Sequence, residues 1–145
     1  MQTRICSILK RKGHSIVTAA PDQSIASFAY LLYSNRIGAT PVVDADNKVV
    51  GMISERDVIR GIVEHGQSVL GLPVETLMTR LVNTCTLDDT VGDVMEMITQ
   101  HRTRHVPVVK DGKLEGIISI GDVVNQLLEE ARFEVSSLQS YITSP

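Results

Sequence analysis

The stretch Arg104-His105-Val106-Pro107-Val108-Val109, a polar turn, and Gly116-Ile117-Ile118-Ser119-Ile120-Gly121-Asp122 has an outline that occurs once earlier in the chain. There it reads Ala39-Thr40-Pro41-Val42-Val43, a turn, and Gly51-Met52-Ile53-Ser54-Glu55-Arg56-Asp57. Pro41 and Pro107 lie 66 positions apart and Asp57 and Asp122 65 apart, so the copies keep register except for one residue lost in the turn. The chain is a duplicated unit. Because 145 residues suit one compact domain, the duplication predicts two half-size units sharing one core.

Outward from the motifs, the same order of elements repeats. In the first copy Ile5, Ile8 and Leu9 form a short amphipathic turn that Gly13 stops, and Ser15 to Thr18 reads as extended. Ser24 caps a helix with Ile25, Phe28, Ala29 and Leu32 at i, i+3, i+4, i+7. Thr40–Val43 and Val49–Ile53 form a hairpin, and Ser54 opens a helix with Val58, Ile59, Ile62 and Val63 on one face. In the second copy Val74 to Met78 matches the opening turn and Val82 to Thr86 the extended segment. Asp89 or Thr90 caps a helix with Val91, Val94, Met95 and Ile98. A hairpin of Val106–Val109 and Leu114–Ile118 follows, then a helix with Val123, Val124, Leu127, Leu128 and Ala131.

Each unit is thus β-α-β-β-α, over residues 5–64 and 74–131, with a Gly- and Pro-containing linker at 65–73. Such pieces do not finish a core alone. The predicted fold is α+β, two repeats packed sheet to sheet about a pseudo-twofold axis with equivalent clefts on either side. The tail, 132–145, has no counterpart; Leu138, Tyr141 and Ile142 predict a short amphipathic helix that covers an interface.

Composition narrows the function. The net charge is −3, from 14 basic and 17 acidic residues with no basic block, so the footprint of a nucleic-acid binder is missing. Two Phe, three Tyr and no Trp give no stacking platform for single strands. No apolar run reaches the ~18 residues of a membrane span, and the N-terminus lacks a signal-peptide core, which predicts a cytoplasmic protein. Cys6 and Cys85 lack CxxC spacing and read as buried apolar groups.

His101 and His105 have the spacing of a helical metal pair, but Val106-Pro107 soon ends the helix and no third ligand is evident. Asp44-x-Asp46 lacks the glycine that a calcium loop needs at its sixth position, where Val49 stands. No metal is expected. Phosphate-loop and dinucleotide fingerprints are absent, and Gly116-x-x-Ser119-x-Gly121 is one residue too long for a nucleophile elbow. A binding protein is predicted, not an enzyme.

Ser54-x-x-Asp57 and Ser119-x-x-Asp122 stand where a strand becomes a helix, the place of a capping box. A helix N-terminus also seats phosphate with its free N–H groups and partial positive charge, while an aspartate on that turn is a double acceptor for a ribose diol. Arg104, His105 and Arg56 supply cations. Gly121, where the first copy has Arg56, lets a phosphate approach the backbone.

With these doubled motifs the chain resembles the cystathionine-β-synthase (CBS) domain family across roughly residues 5 to 131, as a tandem pair or Bateman module. It is most similar to small stand-alone bacterial proteins made of one such pair. The resemblance implies a non-catalytic sensor of cellular energy state that binds an adenosine-containing ligand, AMP first, with NAD, ADP, ATP or S-adenosylmethionine as further candidates, and that forms a flat homodimer.

By position in that family, Asp122 takes the ribose hydroxyls, Ser119, Ile120, Arg104 and His105 face the phosphate, and Lys12, Val17, Ile37 and Gly38 frame the base. The mirror site uses Asp57 for ribose, Ser54 and Arg56 near phosphate, and Thr79 and Asn83 at the base end. In place of Arg104-His105 the first copy is read as having Ala39-Thr40, and Glu55 stands where Ile120 is neutral. The Asp122 site is therefore expected to bind a monophosphate nucleotide more tightly. The alternative is a structural adaptor that dimerises and binds a protein partner, with the Ser-x-x-Asp pairs only capping helices.

Overall fold

The computed structural model describes residues 3–143. In order it contains helices α1 (Ile5–Lys12) and α2 (Ile25–Asn35), strands β1 (Ala39–Val43) and β2 (Val49–Ser54), and helix α3 (Glu55–His65). Two short 3-10 turns, Gly66–Gly71 and Val74–Thr76, lead into α4 (Val91–His101), β3 (His105–Lys110), β4 (Lys113–Ser119) and α5 (Ile120–Thr143). The helix starts follow from local chemistry. Ser24 Oγ accepts the Ser27 N–H at 3.1 Å, and Thr90 forms a reciprocal capping box with Asp93. α2 and α4 also stop alike, on Arg36 and Arg102 in the left-handed conformation (φ 55° and 51°).

Each copy contributes an antiparallel hairpin, β1 with β2 and β3 with β4, and both shift register after the equivalent residues Val42 and Val108. The hairpin turns meet: Lys48 bridges Lys113, and the Leu114 N–H donates to Asn47 O at 3.0 Å. The extended segments expected at 15–18 and 82–86 do not become third strands. Each is reduced to a single parallel bridge, Ala19 to Val42 and Cys85 to Val108. The Ala19 N–H reaches Pro41 O and the Val43 N–H reaches Ala19 O, with the same pattern at Cys85, Pro107 and Val109. The next rung would need an N–H from Pro41 or Pro107, which proline lacks.

The single shared core expected from chain length is two clusters instead, and each is completed from the other half. Ile5, Ile8 and Leu9 of α1 are buried with Cys85, Val91, Val94, Ile98, Val106, Val108, Ile118 and Val123. Val74, Leu77 and Met78 are buried with Ile25, Phe28, Leu32, Val42 and Ile53. Gly116 and Gly51 allow this crossing: a Cβ on Gly116 would lie 2.7 Å from Leu9 Cδ1, and one on Gly51 2.6 Å from Met78 Sδ and 2.9 Å from Thr79 O. Thr40, where the second copy has Val106, is fully buried, and its hydroxyl has no partner among the described residues.

Two further expectations change, for the C-terminal segment and for Cys6, and the side that α3 presents becomes clear. The C-terminal segment is not a separate short helix: α5 runs unbroken to Thr143, with residues 131–143 exposed; Ser144 and Pro145 of the expected tail lie outside the described residues. The apolar face of α3 is turned outward, Ile59, Ile62 and Val63 being 61%, 50% and 81% exposed. Cys6 is only half-buried, while Cys85 is buried and its thiol pKa is pushed up to about 12 by burial and the nearby Asp89.

Candidate functional site

In the second copy β4 delivers Ser119 to the start of α5, and the capping box closes in both directions. The Ser119 N–H donates to Asp122 Oδ2 at 2.9 Å, and the Asp122 N–H to Ser119 Oγ at 3.2 Å. The last residue of α1, Lys12, crosses from the other half and donates to the same Oδ2 at 2.6 Å and to Ile117 O at 2.9 Å. Among the described residues no donor reaches Asp122 Oδ1. The carboxylate is therefore held in place with one oxygen still open to an incoming donor.

Around it the backbone brings the cations of the sequence together. The Ile120 N–H donates to Arg104 O at 2.8 Å, which fixes the entry to β3 beside the helix start. His105 pairs across the hairpin with Ser119. Burial lowers the His105 pKa below its ordinary value, and Lys12 and Arg104 lower it further against the opposing pull of Asp122. For Asp122 itself burial pushes upward, but the Lys12 ammonium and the Ser119 hydrogen bonds outweigh it and hold the carboxyl below the ordinary aspartate range. A carboxylate acceptor, a helix N-terminus and cations thus share one exposed rim.

α1 is also tied along α5 away from the rim. Arg11 pairs with Glu129 at 2.9 Å and donates to Gln126, whose amide donates to Thr3 Oγ1 at 2.9 Å; Thr3 donates in turn to Glu130. This fixes Lys12 relative to Asp122.

The first copy repeats the backbone but puts a donor on both carboxylate oxygens. Asp57 Oδ2 accepts the Ser54 N–H at 2.9 Å and the Ser54 hydroxyl at 3.2 Å, and Oδ1 accepts Arg60 Nη1 at 3.1 Å. Arg60 Nη2 donates to Leu77 O at 3.0 Å, anchoring the guanidinium at both ends of its fork. The Glu55 N–H donates to Gly38 O at 2.9 Å. The Glu55 carboxylate lies over Gly38, 3.4 Å from where a Cβ would stand. A depression of about 630 Å³ opens there, lined by Tyr33, Arg36, Ile37, Gly38 and Glu55 among others; Arg56, Asp57, Ile59 and Arg60 line a smaller one of about 370 Å³.

These geometries sort the candidates from the sequence. Lys12, Arg104, His105, Ser119, Ile120 and Asp122 come together, with Lys12 on the carboxylate. Ile37 and Gly38, expected beside the base of an Asp122 ligand, lie against Glu55 at the first cleft. Ser54, Arg56 and Asp57 surround the α3 start, and Thr79 exchanges two backbone hydrogen bonds with Met52 at 2.8 and 2.9 Å. Val17 and Asn83 are half-buried and share no hydrogen bond with either aspartate.

One equivalence is corrected. Ala39 pairs with Ser54 as His105 pairs with Ser119, and Gly38 O receives Glu55 as Arg104 O receives Ile120. The counterpart of Arg104-His105 is Gly38-Ala39, one residue earlier than read from the sequence. Arg60 escaped that reading altogether, although its i+3 spacing from Asp57 on one helix was a usable signal.

Comparison with known proteins places this architecture. The sequence model of the CBS domain family matches residues 9–64 and 74–129. The crystal structure of the CBS-domain containing protein ATU1752 from Agrobacterium tumefaciens is 43% identical, with a TM-score of 0.80 over 87% of this chain and 94% of that one. The CBS domain pair of protein MJ0100, in complex with 5′-methylthioadenosine and S-adenosyl-L-methionine, is 27% identical with a TM-score of 0.78, covering 90% of this chain and 99% of its own. CBSX2, in complex with AMP, is 27% identical with a TM-score of 0.71, covering 80% and 90%.

Proposed function

Since the chain belongs to the CBS domain family, matched over both halves, we propose that it is a non-catalytic regulatory module that binds an adenosine nucleotide, AMP first, in the cleft at Asp122. The observation that carries this reading is the open Asp122 Oδ1, aimed from a carboxylate whose other oxygen Lys12 and Ser119 hold. Ribose hydroxyls donate to that carboxylate. The phosphate lies toward the α5 N-terminus, Arg104 and neutral His105, as the charges there favour. The ligands in the MJ0100 and CBSX2 complexes share the adenosine group, which supports the same class here.

Titration calorimetry with AMP tests the reading. Losing a charged hydrogen-bonding partner costs ~1.5–3 kcal/mol, so Asp122→Ala weakens binding roughly ten- to 150-fold at 1.4 kcal/mol per decade. Unchanged affinity rejects the assignment. NAD, ADP, ATP and S-adenosylmethionine in the same cell rank the alternatives, and AMP ahead of ATP makes the module an energy sensor. A plain adaptor instead shows a lower melting temperature in Asp122→Ala and no nucleotide that raises it in the parent.

The module acts as a homodimer in this reading. On α5 the residues Val124, Leu128, Ala131, Val135, Leu138 and Ile142 follow the alternating four- and three-residue steps of a heptad seam, all of them exposed. The outward Ile59, Ile62 and Val63 of α3 add to the apolar surface that a second copy covers. Light scattering checks this: the parent has the mass of a dimer and Leu128→Glu with Leu138→Glu that of a monomer. No helix among the described residues is long and apolar enough to cross a membrane, and the cytoplasmic assignment rests on the sequence.

A further inference from the structure

The two helix starts share a backbone and differ in which carboxylate oxygen the nearby cation takes. In the second, the cation that reaches Asp122 crosses from α1 and lands on Oδ2, the oxygen already used by the Ser119 N–H. In the first, the cation comes from the same helix and lands on Oδ1, the oxygen Ser54 leaves alone. Arg60 is held there by a second hydrogen bond, to Leu77 O, so displacing it breaks both prongs of its fork. The equivalent residue in the second copy is Asn125, which is exposed. The Asp57 side chain is 14% exposed and that of Asp122 23%.

From this we infer that Arg60 shuts the first cleft to ribose, so that the chain offers one nucleotide site, at Asp122, and holds a second in reserve behind the Arg60–Asp57 pair. The inference rests on the nucleotide reading above. A ribose diol approaching Asp57 finds a donor on each carboxylate oxygen and a guanidinium seated over Oδ1, which it has to displace to bind both of its hydroxyls, whereas at Asp122 it meets an oxygen with no donor on it. Glu55 adds to the closure for phosphorylated ligands, since its carboxylate lies over Gly38 where the second copy starts the Arg104 side chain. Arg36 and Arg56, which line the two first-copy depressions, leave the cleft with cations even when Arg60 is removed.

Calorimetric stoichiometry tests the inference, with AMP and adenosine as separate probes because Glu55 stands at the phosphate end. The parent takes up one ligand per chain, a number that Asp57→Ala leaves unchanged and Asp122→Ala abolishes. Arg60→Asn, which installs the second copy's residue, takes up two in at least one of the titrations, and adding Asp57→Ala returns it to one. Two sites in the parent, one of them lost in Asp57→Ala, overturn the inference and leave the nucleotide reading standing. So does a single site in an Arg60→Asn protein that melts like the parent. Should Arg60→Asn not fold, Asp57→Ala in the parent background still decides. No uptake of either probe by the parent removes the nucleotide reading, and this inference with it.

Discussion

The two halves of this chain carry the same strand, the same Ser-x-x-Asp and the same helix start, yet they present different chemistry. Asp122 is steadied by a lysine from the far end of the chain and keeps one oxygen without a donor; Asp57 has a donor on each oxygen, from Ser54 and from Arg60 of its own helix. The difference comes from neighbours and not from the motif. Gly38 stands where the second copy has Arg104, and Arg60 where it has Asn125, so the two copies share a frame and differ in the side chains set around it. The same motif therefore does not by itself give the two copies the same surroundings.

The comparison breaks most visibly in binding. Asp122→Ala loses roughly ten- to 150-fold in AMP affinity by calorimetry, while Asp57→Ala stays within twofold of the parent. An equal loss in both variants would make the clefts equivalent and end the distinction.

The crossing of the halves gives the next largest effect. Gly51→Ala places a methyl 2.9 Å from the Thr79 backbone oxygen, whereas Gly116→Ala meets only the side chain of Leu9. Overpacking of this kind costs about 1–3 kcal/mol. Urea unfolding shows Gly51→Ala as the more destabilised of the two, because a backbone gives way less readily than a leucine rotamer.

A smaller contrast lies in the cores. Thr40 carries a buried hydroxyl without a partner among the described residues, where the second copy has Val106. Thr40→Val raises stability by about 1 kcal/mol and Val106→Thr lowers it by about 1–3 kcal/mol, both read from denaturant midpoints at constant slope. A loss on Thr40→Val would mean that the hydroxyl is satisfied in solution.

The finest distinction is in titration. The His105 pKa is lowered chiefly by burial, then by Lys12 and Arg104, and is raised by Asp122. In NMR titrations Lys12→Met therefore moves it up and Asp122→Ala moves it further down. A group with a depressed folded pKa binds fewer protons folded than unfolded, so its contribution to stability is present above the unfolded value and is lost as pH falls through the folded one. His105 thus costs stability as pH drops below the ordinary histidine range, and Asp122, also depressed, adds a second loss in the acid range below that of ordinary aspartate. With the phosphate placed as proposed, AMP opposes the lowering of the His105 pKa, and the same NMR titration with ligand shows an upward shift.

Much of this was legible in the sequence because it is local. Ser24 and Thr90 announce their helices, and the doubled Pro-Val-Val and Ser-x-x-Asp give the repeat and both hairpins. The continuation of α5 is also legible, since no Gly or Pro stands between Asp122 and Ser144. Periodicity correctly put Ile59, Ile62 and Val63 of α3 on one face but does not say whether a core or a partner covers that face. The exchange of Ile5 and Leu9 for Leu77 and Met78 between the halves is tertiary, and no spacing encodes it. By position Lys12 is expected to frame the base; its hold on Asp122 depends on that exchange and is not encoded in any spacing.

The most direct test of the account is a crystal structure of the protein grown with AMP. One nucleotide per chain is expected, its ribose hydroxyls within hydrogen-bonding distance of the Asp122 carboxylate and Arg60 still seated on Asp57. A nucleotide whose ribose lies on Asp57, or an Asp122 cleft that excludes AMP at saturating concentration, would contradict it.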